Sequence, residues 1–496
     1  MHLIARCLAV AIFLATASSP QAPGINAKIF AGAEQSVTVS GRAAAGHQKE
    51  PAAEPPLEWV DGATGHRVVR LSREPGSQSL YFHQNGYTEN GDRLVFSTRE
   101  GLSCYNFKTR SVESLVQGRV SGVIVGRRTR QVFYFKGNSV FATDLDTRAT
   151  REITRGETVQ AANLDTHAAQ EIKIAELRSG SGLAVNADET QLAGSYTEGG
   201  QRPGPQPPVD GAGVRADAYP GKGEMMERRL AARLPMALYT INIKTGEVKT
   251  FNHSTDWLNH VQFSPVDSGL LMFCHEGPWH KVDRIWTIRT DGTGLRKIHT
   301  RTMEMEIAGH EFFGADGRTI WFDLQTPKGK EFWLAGVVLA KGEKIRYKIP
   351  RDQWSVHFNV SADGKLFAGD GGGPHSVAAP GNGQWIYLFT PKNGSLTAEK
   401  LVNLTNHDYR LEPNVTFTPD GKWIVFRSNM YGPTHVYAVE VAGSTKAQAA
   451  SAVKPDPDCV IALQWVSGEP QCSKYRVATP QQSHAKRGLN KSGLVS

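Results

Sequence analysis

The stretch Gly309-His310-Glu311-Phe312-Phe313-Gly314-Ala315-Asp316-Gly317-Arg318-Thr319-Ile320-Trp321-Phe322 decides the fold. It reads as a short strand that opens on a histidine, then a tight Asp-Gly turn, then a second apolar strand. The frame recurs. His260 stands before Phe263-Ser264-Pro265, His357 before Val360-Ser361-Ala362-Asp363, and Asn414 before Phe417-Thr418-Pro419-Asp420. Turns of the same kind fall at Glu89-Asn90-Gly91-Asp92, Gly126-Arg127-Arg128, Asn186-Ala187-Asp188, Pro265-Val266-Asp267, Ala315-Asp316-Gly317, Ala362-Asp363-Gly364 and Pro419-Asp420-Gly421, which makes seven. Further strands follow each turn, as in Leu238-Tyr239-Thr240-Ile241-Asn242-Ile243 before Thr245-Gly246-Glu247. Unit lengths of roughly 40 to 60 residues with period-two alternation predict an all-β chain, a seven-bladed β-propeller with TolB/WD-like blades. It is expected to occupy residues 57–466.

Outward from that ring, the composition agrees. Among 496 residues, 50 glycines and 26 prolines favour many turns over long helices, and 40% hydrophobic content suffices for a large core. Residues 1–22, with Arg6 ahead of an apolar run, read as a signal peptide whose cleavage falls no later than residue 31, so the mature protein is expected to be periplasmic or secreted. Residues 23–56 are Ala, Gly, Pro and Gln rich and read as disordered, and 467–496 read as a loose tail. Residues 196–237 form a long insertion with a helix-forming, arginine-bearing end, expected to lie as a lid over one mouth of the channel. No later segment reaches the roughly 18 apolar residues of a membrane span. Cys459 and Cys472 are spaced for a possible disulfide, while Cys104 and Cys274 read as buried thiols. The net charge of +8 is scattered, without a basic stripe interleaved with aromatics. That excludes nucleic acid and suits a small acidic partner.

In a propeller the first strand of each unit lines the channel, so residues at equivalent places should converge. Those places hold Gln84, Gly182, His260, His310, His357 and Asn414, and the second unit does not align. Three imidazoles at matching positions point to chemistry, because each buried ring must be desolvated and partnered.

The runs Trp257-Leu258-Asn259-His260, Phe273-Cys274-His275-Glu276-Gly277-Pro278 with Val282-Asp283, His310-Glu311-Phe312, and His357 ahead of Gly369-Asp370-Gly371 resemble the oligogalacturonate lyases. These are seven-bladed propellers that cleave short pectin fragments. The resemblance spans most of residues 60–442. It implies His260 as the Brønsted base and Arg233 as the nearest match to the arginine that holds the substrate carboxylate. It also implies a divalent metal, typically manganese, bound through His310 and a Gln-x-x-His-x-His set. Tyr409, Glu412 and Asn414 stand where that set would be. Glu412 and Asn414 offer oxygen donors, which suit manganese, magnesium or calcium.

The chemistry follows independently of the likeness. Breaking a 4-linked uronate by β-elimination needs removal of the C5 proton, which is weakly acidic until the adjacent carboxylate is neutralised. A neutral histidine with a pKa near about 6.5 can take it. A cation stabilises the charge that builds on the carboxylate. Tyr81, His83, Gln84, His275, His357 and Tyr409 are then expected to contact the acidic oligosaccharide or orient the acting groups. The chain carries no G-x-S-x-G elbow, which argues against a serine hydrolase. The competing reading is a TolB-like propeller that binds a protein or glycan without catalysis.

Overall fold

The computed structural model describes residues 54–200, 223–373 and 382–443, together with the backbone of 459–466 and 469–476. Residues 1–53, which include the expected signal peptide, lie outside the described residues, as do 201–222 of the insertion. The strands form seven radial blades and one separate hairpin.

Blade 1 is Arg93–Thr98, Gly101–Asn106 and Ser111–Gln117, with its innermost place taken by a segment bridged through Gln78 to Ser97 and Tyr87 to Leu94. Blade 2 is Ser121–Gly126, Gln131–Lys136, Ser139–Asp144 and Thr150–Glu152. Blade 3 runs outward from Ala184–Val185 through Gln191–Thr197, Met236–Asn242 and Val248–Ser254. An additional hairpin, Thr158–Asn163 with Ala168–Lys173, extends it in parallel to Val248–Ser254. Blades 4 and 5 begin with Trp257–Phe263 and Ile307–Phe313, and blade 6 with Phe358–Val360. Blade 7 starts with Thr416–Phe417, Trp423–Ser428 and His435–Glu440, and is finished by Arg67–Arg70 and Glu58–Val60 from the start of the chain.

The seven turns read from the sequence all fall between the first and second elements of a blade, where Gly317 at φ 66° and Gly421 at φ 69° supply the left-handed corner. The expected end of the ring at residue 466 is corrected by this closure. The last blade is completed by the chain's first strands, and Cys459–Val466 instead pairs with Glu469–Arg476 as its own hairpin. That hairpin also places strand within the expected loose tail. Its register sets Cys459 opposite Arg476 and Cys472 opposite Leu463, and both cysteine side chains lie outside the described residues.

Stability resides between blades. Phe133 and Phe135 of blade 2 pack with Leu192 and Tyr239 of blade 3, and Phe96 of blade 1 packs with Val425 and Val436 of blade 7. Each such fully buried side chain contributes about 1.5–3 kcal/mol. Strand Thr319–Gln325 is buried at nearly every position because neighbouring blades cover both its faces. The outer strand Glu343–Ile349 is mostly exposed. That contrast is why inner strands read as apolar runs and the rim reads as charged.

Candidate active site

A recurrent backbone irregularity aims the polar residues. The pairing of the first two strands slips between Asn259 and Gln262 in blade 4, between Gly309 and Phe312 in blade 5, and between Ser121 and Ile124 in blade 2. Each slip carries one left-handed residue: His260 at φ 48°, His310 at φ 48° and Gly122 at φ 63°. Asn414 of blade 7 shares that conformation at φ 54°. A bulge re-aims a side chain, and a non-glycine residue held there stores on the order of 1–3 kcal/mol. Gly122 is thus the blade 2 position that could not be aligned in sequence.

Two cavities occupy the ring's interior. One, of about 390 Å³, is bordered by the inter-strand turns and includes Arg127, Glu189 and Asn359. The other, of about 360 Å³, lies at the opposite mouth and is lined by Tyr81, His83, Gln84, His260, Glu276 and Glu412, among others. His83 and Gln84 border both, so the innermost segment of blade 1 partitions the channel. The second cavity holds the groups expected to react, although the first is larger. Met225 and Met226 of the helix Gly223–Ala232 close one side of it. That helix is held by Glu227 to Lys281 at 2.8 Å and by Arg229 over Trp257 at 5.1 Å, so the described end of the insertion borders this cavity.

His260 stands in a charged network that sequence reasoning missed. The side chain of Arg284, 1% exposed, donates from Nε to Glu311 Oε2 at 2.7 Å, and its Nη2 lies 3.2 Å from His260 Nδ1. Glu311 Oε1 is 3.2 Å from the same Nδ1, and Glu276 Oε2 is 3.9 Å from Nε2. Burial alone would raise Glu311, but the Arg284 charge and the His260 contact outweigh it and hold the carboxyl well below the usual range. Glu276, which accepts a hydrogen bond from Asn259 Nδ2, is held low by Arg284 in the same way against its burial. His260, Cys274 and Glu311 bring donor atoms within 4.8 Å of one another. The Arg284 guanidinium already supplies the cation there. The signal for Arg284 was a charged residue in an otherwise apolar strand opening, Arg284-Ile285-Trp286.

The other histidines converge elsewhere than expected. His310 Nδ1 is bonded to Asp323 Oδ1 at 2.7 Å, and His357 Nδ1 to Asp370 Oδ2 at 2.6 Å, with the two rings 4.6 Å apart. His310 is 8% exposed and His357 is fully buried, and neither lines the cavity. Phe82 packs on both, at 6.3 and 4.9 Å, and Tyr81 stands between His357 and His260 at 5.4 and 5.6 Å. The expected open convergence of the histidines is therefore corrected: blade 1 inserts Tyr81-Phe82-His83 among them. His357 accordingly has no access to a sugar.

Tyr81, His83 and Gln84 line the cavity. Burial, together with the neighbouring His260, keeps His83 well below the ordinary histidine range and so neutral. His275 lies outside that lining, stacked on Trp286 at 4.7 Å with Nδ1 3.6 Å from Asp256. Tyr409 is likewise outside, packed on Gly373 with its hydroxyl towards the Asp370 carbonyl. Arg233 is half-exposed and bonds Asp256 at 2.7 Å, beside Trp257 of the cavity wall. Of the expected metal donors, Asn414 is consumed: its Oδ1 accepts the Phe82 N–H at 3.2 Å and its Nδ2 donates to the Glu412 carbonyl at 3.1 Å. Among the described residues, neither His310 nor Glu412 belongs to a cluster of three histidine, cysteine or carboxylate donors.

Comparison with known proteins agrees with the resemblance. Residues 230–445 match the oligogalacturonate lyase family, Pectate_lyase22. The oligogalacturonide lyase of Pectobacterium atrosepticum is 29% identical over 226 residues, which cover 42% of this chain and 56% of that protein. The oligogalacturonate lyase of Dickeya dadantii matches to the same extent. The chain thus spans little more than half the length of these relatives. Among solved structures, an oligogalacturonate lyase in complex with manganese superposes with a TM-score of 0.61 at 24% identity, covering 78% of this chain and 96% of that one. The oligogalacturonate lyase of Vibrio parahaemolyticus gives 0.63 at 23%, with the same coverage. Both establish the propeller fold.

Proposed function

We propose that this protein is a lyase that cleaves short acidic uronides, such as pectic oligogalacturonate fragments, by β-elimination with His260 as the base. The observation that carries the reading is the position of His260, on a bulge at the wall of a 360 Å³ cavity, backed by buried Glu311 and Arg284. Glu311 Oε1 lies 3.2 Å from Nδ1, and in the tautomer that carries its proton there, facing that carboxylate, the Nε2 lone pair is left to remove the C5 proton. A propeller that only binds has no need of a buried ion network behind one imidazole. The family match over residues 230–445 supports the same conclusion, since that span holds His260, Glu276, Arg284 and Glu311.

Arg233 supplies the cation for the uronate carboxylate by exchanging its Asp256 partner for the substrate. The manganese of the structural relative is not carried over. Asn414 has turned its oxygen to the backbone and Phe82 packs against His310, so the residues present do not fit the expected metal cage. The reading of residues 1–22 as a signal peptide places the mature protein in the periplasm or outside the cell.

The test is absorbance at the ultraviolet edge as the conjugated C4–C5 double bond forms on oligogalacturonates. Growth that disappears in His260→Ala supports the lyase. Silence of the wild-type protein across pectic, rhamnogalacturonan and ulvan-type fragments leaves the non-catalytic glycan- or protein-binding propeller.

A further inference from the structure

Elimination needs an acid as well as a base, because the departing glycosidic oxygen leaves as an alkoxide unless protonated. We propose that Tyr81 is that acid, with its hydroxyl held at the cavity wall by the buried pair His357 and Asp370. The proposal rests on the lyase reading above and adds a second catalytic residue to it.

Tyr81 and His260 line the same cavity, their rings edge-on at 5.6 Å, so a hydroxyl and an imidazole border one bound sugar from adjacent walls. The Tyr81 hydroxyl is 3.3 Å from His357 Nε2. His357 Nδ1 in turn donates to Asp370 Oδ2 at 2.6 Å, and Asp370 Oδ1 accepts the backbone N–H groups of His357 at 3.0 Å and Val356 at 3.1 Å. The ring is thereby fixed with Nδ1 protonated and Nε2 turned to the tyrosine. Both members of the pair are essentially unexposed. An imidazole and a carboxylate are costly to bury, and this pair reaches the cavity through the Tyr81 hydroxyl.

The segment itself is fixed. Gln84 N–H donates to the Tyr81 carbonyl at 2.7 Å, and the Tyr81 N–H donates to Gln84 Oε1 at 3.3 Å. The Phe82 N–H is bonded to Asn414 Oδ1, so the replacement of a metal donor by asparagine secures the residue next to Tyr81. Burial, reinforced by Glu412, holds the phenol well above its ordinary range, so Tyr81 enters the reaction protonated.

In the step, His260 takes the C5 proton, and the C5–H electron pair becomes the C4–C5 double bond. The C4–O bond breaks with its pair on oxygen, and that oxygen takes the Tyr81 proton. After the products leave, solvent carries the proton on His260 back to the phenolate. His357 is a positioning residue that shares the hydroxyl hydrogen and keeps the phenol facing the scissile bond.

The experiment uses the full chain with trigalacturonate in D2O, following cleavage by absorbance and deuterium entry at C5 by proton NMR. Tyr81→Phe is expected to lose cleavage by about 10²–10⁴-fold while His260-dependent C5 exchange persists. A uronide with an aryl group on O4, whose phenolate leaves without a proton, should restore cleavage. His357→Gln should raise the ratio of exchange to cleavage in the same direction by a smaller factor, and serves alone if Tyr81→Phe does not fold. Cleavage by Tyr81→Phe at the wild-type rate, or loss of exchange and cleavage together with binding intact, overturns Tyr81 as the acid. A wild-type protein that neither cleaves nor exchanges any uronide overturns the lyase reading itself.

Discussion

Two histidine neighbourhoods occupy equivalent places in adjacent blades and have taken on different work. His260 and His310 share the bulge, the φ of 48° and the strand position. His260 lines a cavity and is backed by a guanidinium and two glutamates, whereas His310 has one aspartate and lies behind Phe82. The repeat sets where the ring points, and the neighbouring chain decides whether it meets solvent. A residue's role in a propeller is therefore not settled by its place in the repeat.

The largest effect that would break this comparison is on activity. His260→Ala is expected to lower turnover of oligogalacturonate by about 10²–10⁴-fold, read by ultraviolet absorbance. His310→Ala should act through stability, and an equal catalytic loss with an unchanged melting curve would erase the distinction. Next comes the buried network. Glu311→Gln leaves Arg284 without its closest carboxylate and should cost about 3–5 kcal/mol in urea unfolding. Asp323→Asn removes only the anchor of His310 and should cost about 1–3 kcal/mol.

A third test uses pH. Burial opposes charge on His357, but Asp370 and Glu412 outweigh it, so its pKa is raised; burial lowers that of His310 despite Asp323. Relative to an unfolded value near about 6.5, the raised His357 contributes stability that is full below that value and is lost as pH climbs through the folded pKa. The depressed His310 contributes stability present above it and lost as pH falls through its own folded pKa. His357→Gln should flatten the alkaline side of the melting profile, and His310→Gln the acidic side. The smallest effect concerns metal: chelator or added manganese should change the rate by less than about twofold, since the Asn414 oxygen is turned to the Phe82 backbone.

Much of the ring was legible because turns are local chemistry. An Asp-Gly corner such as Asp316-Gly317 announces itself within four residues, and counting it together with the looser polar turns at the same place in the repeat gives seven blades. The contributions that depend on distant chain were not legible. The packing of Phe82 against His310 and His357 joins residues more than 200 positions apart, and nothing near His310 foretells it. Arg284 was hidden for a related reason. An arginine at the start of a strand reads as a rim charge until its two carboxylate partners, one a full blade away at Glu311, are known. Arg233, the nearest match to the family's arginine, stands at the rim with Asp256 rather than inside.

The joint in blade 7 constrains how the ring comes into being. Val68 hydrogen-bonds beside Val439, so the sheet that seals the circle needs strands synthesised at opposite times. Until the later one emerges, the first strands wait without a lasting partner, exposing an edge that other chains can bind. Closure across so much sequence is slow, and a chain caught before it is finished would remain an open crescent.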